Sequence, residues 1–121
     1  DEPIQGDFVL LQQAFSNIVE NGIKYNRQNG MVNVLIDQSK ENIVVCIKDT
    51  GQGISDQDME HIFDRFYRSR ESNINCHSGH GLGLSISSHI IKLHNGNIEV
   101  NSKIGEGSTF KITLPIKGNK V

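Results

Sequence analysis

The strongest constraint on the fold is a change of hydrophobic period along the chain. Phe8, Leu11, Phe15, Ile18 and Gly22 recur at helical spacing behind Asp7, a suitable N-cap, and predict a long helix from about Asp7 to Tyr25. The polar "RQNG" stops it. "MVNVLID" (31–37) alternates weakly and "NIVVCIKD" (42–49) is a nearly continuous apolar run, so both predict strands, joined by "QSKEN". A short helix is expected near Asp56–Phe63, followed by a polar stretch over 64–80 that holds three arginines and has no period. A second long helix is expected over Leu82–Leu93, and "GNIEVNSK" (96–103) and "STFKITLP" (108–115) predict two strands around "IGEG". That order requires an α/β architecture, a mixed sheet with helices on one face.

Composition narrows the function classes. A chain of 121 residues with 36% hydrophobic content fits one compact domain with a buried core. Net charge is −2 and the lysines and arginines are scattered, so no nucleic-acid footprint is visible. No apolar run approaches membrane-spanning length, and no secretory signal opens the chain. Cys46 and Cys76 are too few for a disulfide framework, which suits a reducing cytosol. The opening "DEPIQGD" does not resemble a natural start, so a fragment of a longer protein is expected.

Four stretches carry chemistry. Asn17 and Asn21 lie one turn apart on the first helix, and Lys24 and Tyr25 extend the same edge. An amide oxygen can ligate Mg²⁺, which leans on waters and substrate phosphates for its other ligands. An ammonium suits phosphate oxygens. In "KDTGQGI", Asp49 ends a buried strand, and a carboxylate there can accept a hydrogen bond from an exocyclic amine such as that of adenine. Gly51 and Gly53 would let backbone approach a flat ring. "IFDRFYRSR" combines the anchors Phe63, Phe66 and Tyr67 with the cations Arg65, Arg68 and Arg70. "GHGLGL" sets Gly79, Gly81 and Gly83 before a helix, where free N–H groups and the helix dipole favour a phosphate. It matches neither the P-loop, which requires a following Lys, nor the dinucleotide fingerprint, which requires a preceding strand. Taken singly, the first three stretches read first as a solvated helix face, a strand-ending turn and an amphipathic helix.

Taken in order, "NIVENGIKY", "DTGQGI", "IFDRFYR", "GHGLGL" and "GEGSTF" resemble the N, G1, F, G2 and terminal glycine boxes of the catalytic, ATP-binding domain of bacterial sensor histidine kinases. The likeness runs from about Phe8 to Pro115. It implies the two-layer α/β sandwich shared with Hsp90, gyrase and MutL: a mixed, mostly antiparallel sheet covered on one face by three helices. It also implies one domain over 1–121 with a mobile ATP lid at about 64–80. By this resemblance Asn21, helped by Asn17, holds Mg²⁺, Lys24 meets a phosphate and Tyr25 flanks the nucleotide. Asp49 binds the adenine amine, with Gly51, Gly53 and Ile54 beside the ring. Arg68 reaches the γ-phosphate. Gly79, His80, Gly81, Leu82, Gly83 and Leu84 surround the phosphates, and Thr109 of the last box belongs to the nucleotide site. His80 departs from the Thr or Ser common before Gly81, and Asn95 replaces a common Gly that requires left-handed backbone, which Asn tolerates.

The implied activity is transfer of the γ-phosphoryl group of ATP to a histidine, with Mg²⁺ as the metal. His61, His77, His80, His89 and His94 all lack a following acidic residue, so the acceptor histidine is expected on a separate dimerisation segment. The implied partners are that segment of the same kinase and the receiver domain of a response regulator. The domain would be monomeric alone and cytoplasmic, within a homodimeric parent that the resemblance allows to be anchored in the cell membrane. An ATPase of the same superfamily typically carries a Glu as water-activating base where this chain has Asn17, which disfavours hydrolysis. An anti-sigma-type serine kinase and a non-catalytic nucleotide-sensing module are the other rivals. "CHSGH" (76–80) also reads as a Cys/His cluster, but a structural zinc site wants four ligands and a second pair is missing.

Overall fold

The computed structural model describes residues 8–64 and 83–116. Helix α1 runs Phe8–Lys24, strands β1 and β2 run Val32–Gln38 and Asn42–Asp49, and a one-turn helix α2 runs Asp56–Met59. Helix α3 (Gly83–Leu93) and strands β3 (Asn97–Lys103) and β4 (Gly107–Pro115) complete the described chain.

The long elements fall within a residue or two of where the periodicity puts them. In α1 the stripe through Leu11, Ala14, Phe15, Ile18 and Gly22 turns inward, with Ala14, Ile18 and Gly22 buried. Asn29, at φ 63°, supplies the left-handed residue that turns the chain towards β1. Helix α3 buries Ser87, Ser88, Ile90 and Ile91. It closes in a Schellman cap: the Gly96 N–H donates to the Ile91 carbonyl (2.9 Å) and the Asn95 N–H to the Lys92 carbonyl (3.0 Å). Asn95 takes φ 62°, the left-handed role expected of it. The segment expected as a helix over 56–63 is helical only over Asp56–Met59, where Ser55 caps it by accepting the Asp58 N–H at 3.1 Å. Turns follow, and Ile62 and Phe63 still pack on the core.

The sheet order is β1-β2-β4-β3, and every pairing is antiparallel. The mixed sheet expected from the sequence is thus purely antiparallel among the described residues. Short turns join β1 to β2 and β3 to β4, which only antiparallel neighbours allow. Val45, Ile47, Phe110, Ile112 and Leu114 face α1 and α3 and form the core with Ala14, Ile18, Ile90 and Ile91. A buried polar contact ties the two helices, the Ser87 hydroxyl donating to the Ala14 carbonyl at 2.8 Å. Period-two alternation puts Lys48, Thr109, Lys111 and Glu99 on the opposite face of the sheet. Two layers result, with the β2–β4 pair at the centre of the sheet and its Asp49 end beside the C-terminal turns of α1.

Candidate functional site

Asp49 ends β2 on the helix-facing side and is 7% exposed. Its Oδ1 accepts the Gly51 N–H at 2.8 Å and the Ser108 N–H at 3.2 Å. Two backbone donors therefore orient the carboxylate, and no described cation forms an ion pair with it. Oδ2 accepts from no described residue and lies beside Gly22. A Cβ at Gly22 would sit 3.4 Å from Asp49 Cβ and Oδ2, in contact with the carboxylate, so α1 passes close over it. Glycine there keeps the space beside the acceptor open.

The loop after Asp49 is fixed from two sides. On the α1 side, the Gln52 N–H donates to the Tyr25 carbonyl at 3.3 Å. A Cβ on Gly51 would lie 2.8 Å from that carbonyl oxygen. On the other side, the Gly105 N–H donates to the Gln52 carbonyl at 2.8 Å, and the Ile54 N–H to Ser102 Oγ at 2.8 Å. Gly53 takes φ 82°, and a Cβ there would collide with the Lys103 carbonyl, so left-handed backbone and close approach coincide.

The polar edge of α1 flanks this end. Asn21 and Tyr25 are half-buried, while Lys24 is exposed with its Nζ 5.9 Å from the Tyr25 ring centroid. Asn17 Nδ2 donates to the Gly83 carbonyl at 3.3 Å. A carbonyl only accepts, so this bond fixes which way the Asn17 amide points and leaves its oxygen without a described donor. Gly83 and Leu84 open α3 beside Asn17. Asn17, Asn21, Tyr25, Asp49, Gly51, Gly53, Ile54 and Gly83 thus gather at one end of the sandwich. Arg68, Gly79, His80, Gly81 and Leu82 lie outside the described residues, as does all of the expected lid except Asp64.

Thr109 stands apart from the residues gathered at this end. It pairs with Lys48 and Asn101, on the sheet face away from the helices. Its neighbour Ser108 stands opposite Asp49 and binds it. The signal was available: residues facing one side of a strand alternate, so the partner of an inward Asp49 must be an inward residue of β4. Ser102 and Asn26 were also missed. Asn26 Nδ2 donates to the Met31 carbonyl at 3.0 Å, and its Oδ1 accepts from the Arg27 N–H and the Thr50 hydroxyl at 2.9 and 3.1 Å.

Among the described residues no group of three His, Cys, Asp or Glu side chains is placed to hold a metal ion. The available donors beside Asp49 are amide oxygens, which fit a hard, water-rich cation that takes most of its ligands from solvent and phosphate.

The model of the histidine kinase-, DNA gyrase B- and HSP90-like ATPases matches residues 6–118. The chain belongs to this ATPase family. Such a domain binds ATP, so a nucleotide is its substrate. The heme sensor protein HssS of Staphylococcus saprophyticus is 44% identical over 111 residues, which is 92% of this chain and 23% of that protein. The sensor-like histidine kinase SenX3 of Mycobacterium bovis is 38% identical over 93% of this chain and 27% of its own length. The chain therefore spans about a quarter of these relatives. Among solved structures, the mycobacterial sensor histidine kinase MprB superposes with a TM-score of 0.81 at 30% identity, covering 93% of this chain and 76% of that one. The catalytic domain of the histidine kinase ThkA gives 0.77 at 27% identity over 92% and 70%. These likenesses agree with the two-layer sandwich of this ATPase family. No helix among its described residues is long and apolar enough to cross a membrane.

Proposed function

We propose that this chain is the ATP-binding catalytic domain of a sensor histidine kinase. It passes the γ-phosphoryl group of ATP to a histidine on a dimerisation segment of the same kinase, from which a response-regulator aspartate takes it. The observation that carries the reading is the buried, two-donor-held Asp49 carboxylate beside the amide edge of α1. A carboxylate with one oxygen still open accepts the adenine amine and disfavours the guanine carbonyl. Gly51, Gly53 and Ile54 lie beside the base, and Tyr25 flanks the nucleotide. Lys24 meets a phosphate. Asn21, with Asn17, holds Mg²⁺, which supplies neutralisation of phosphate charge. Arg68 and the 79–84 glycine stretch complete the phosphate end.

Phosphoryl transfer depends on positioning and charge neutralisation more than on covalent help from the protein. Asn17 fits this division of labour. An amide has no base to activate water, and here it also holds the start of α3. Glu20, the nearest carboxylate in sequence, is exposed and about 100° of helix rotation from Asn21. The isolated domain is a monomer, and its parent a homodimer.

The test uses γ-labelled ATP with Mg²⁺. The chain alone should neither label itself nor release phosphate above background. Adding a dimerisation segment that bears the acceptor histidine should give label on that segment, acid-labile and base-stable as a phosphoramidate is. Steady hydrolysis by the chain alone would overturn the reading in favour of an ATPase. Acid-stable label on a partner would mark a serine kinase.

A further inference from the structure

We propose that Ser102, on edge strand β3, is a positioning residue for the base-reading end of the site, orienting the Ser108 hydroxyl so that the site accepts an amine and rejects a carbonyl. This rests on the adenine role given to Asp49. The Ser102 hydroxyl has three partners: the Ile54 N–H at 2.8 Å, the Gly107 carbonyl at 2.9 Å and the Ser108 hydroxyl at 2.7 Å. A serine hydroxyl has one hydrogen and two lone pairs. The Ile54 N–H can only donate and the Gly107 carbonyl can only accept. The one arrangement that satisfies all three contacts at once sends the Ser102 hydrogen to Gly107 and gives its lone pairs to Ile54 and Ser108. Ser102 is saturated, and the assignment leaves one orientation for the Ser108 hydrogen, towards Ser102.

With that hydrogen committed, Ser108 Oγ offers only lone pairs to anything else that approaches it. Ser108 is 6% exposed, stands opposite Asp49 in the β2–β4 register, and donates its N–H to Asp49 Oδ1. Carboxylate and hydroxyl together make an acceptor-only corner. An exocyclic amine or an amine-bound water satisfies such a corner; a ring carbonyl meets oxygen lone pairs on both sides. The same saturated hydroxyl ties the Ile54 end of the loop and the β3–β4 turn to one point, which keeps Gly51 and Gly53 in register with Asp49.

Ser102→Ala removes this device without touching Asp49 or Ser108. The Ser108 hydrogen is then free to turn outward and donate to a carbonyl. The measurement is ATP and GTP affinity by competition against a fluorescent nucleotide, with thermal melting of each variant of the full chain. The unsubstituted chain should prefer ATP. In Ser102→Ala the ATP-to-GTP affinity ratio should fall about tenfold, the size of one well-made hydrogen bond. Ser102→Thr keeps the hydroxyl and should keep the ratio. Ser108→Ala should lower the ratio similarly, and adding Ser102→Ala to it should lower the ratio no further. A merely structural Ser102 would lower the melting temperature and weaken both nucleotides in parallel; an unchanged ratio in an ATP-selective protein overturns the inference. Should Ser102→Ala fail to fold, an unchanged ratio in Ser108→Ala overturns it equally. An unsubstituted chain that binds ATP and GTP alike would instead sink the Asp49 reading, and this inference with it.

Discussion

Asn26 and Asn21 lie little more than one helical turn apart in the chain, and their surroundings differ completely. Asn26 is committed to the protein: its nitrogen serves Met31 and its oxygen serves both Arg27 and Thr50. Thr50 in turn accepts the Met31 N–H at 2.8 Å, so one amide joins the end of α1, the start of β1 and the loop after β2. Gly30 completes the joint, because a Cβ there would run into the Asn26 amide. Asn21 is half-buried on the edge of α1 that faces the site, and no described residue hydrogen-bonds its side chain. A polar side chain committed to partners inside the protein builds the scaffold. One held in place with valences to spare is available to a ligand.

The contrast can be broken or sharpened by substitution. The largest expected effect is at the uncommitted position. Asn21→Ala should weaken Mg²⁺-dependent ATP binding on the order of a hundredfold while leaving the melting temperature nearly unchanged, because only ligand contacts are lost. Isothermal titration with and without Mg²⁺ checks it; equal binding would remove Asn21 from the site. Asp49→Asn preserves size but adds a donor, and should cost about tenfold or more in ATP affinity and erase preference over GTP. Competition between the two nucleotides reads both effects.

Next comes the committed position. Asn26→Ala removes one partner each from the Met31 carbonyl, the Thr50 hydroxyl and the Arg27 N–H, and should destabilise the fold by about 1–2 kcal/mol. Denaturant unfolding would measure this, with ATP affinity per folded molecule little changed. If Asn26→Ala spared stability and removed binding, the distinction between committed and open amides would collapse. The smallest effect is expected on β1, where Leu35 and Ile36 are 67% and 71% exposed. Leu35→Ser should move stability by no more than about 0.5 kcal/mol, despite the apolar character of the strand.

The same contrast explains what was legible from the sequence. Periodicity reports apolar faces, so α1, α3 and the four strands emerge nearly at their observed bounds. The run Asn42–Asp49 matches β2 residue for residue. Asp49, Gly51 and Gly53 were legible because a carboxylate after an apolar run, followed by paired glycines, is locally unusual. Ser108 and Ser102 were not, because a serine's role here depends on which strand lies beside it, and that depends on sheet order. Asn26 read only as part of a helix stop, since its partners at Met31 and Thr50 come together through the β1–β2 pairing. Thr109 and Ser108 differ by a single step along β4, which reverses the face.

The bond from the Ser108 N–H to Asp49 spans 59 residues of sequence. Its strand, β4, comes last in the described chain and yet lies between β2 and β3 in the sheet. During synthesis, α1, β1 and β2 leave the ribosome long before the strand that completes their sheet. The Asp49 carboxylate then lacks its Ser108 donor, and Ile47 lacks its Phe110 partner. Nucleotide recognition is therefore contingent on a strand pairing that is non-local in sequence. Because ligand binds only the finished state, ATP should shift the folding equilibrium towards it by mass action. A nascent or truncated chain that stops before β4 should gain nothing from the nucleotide.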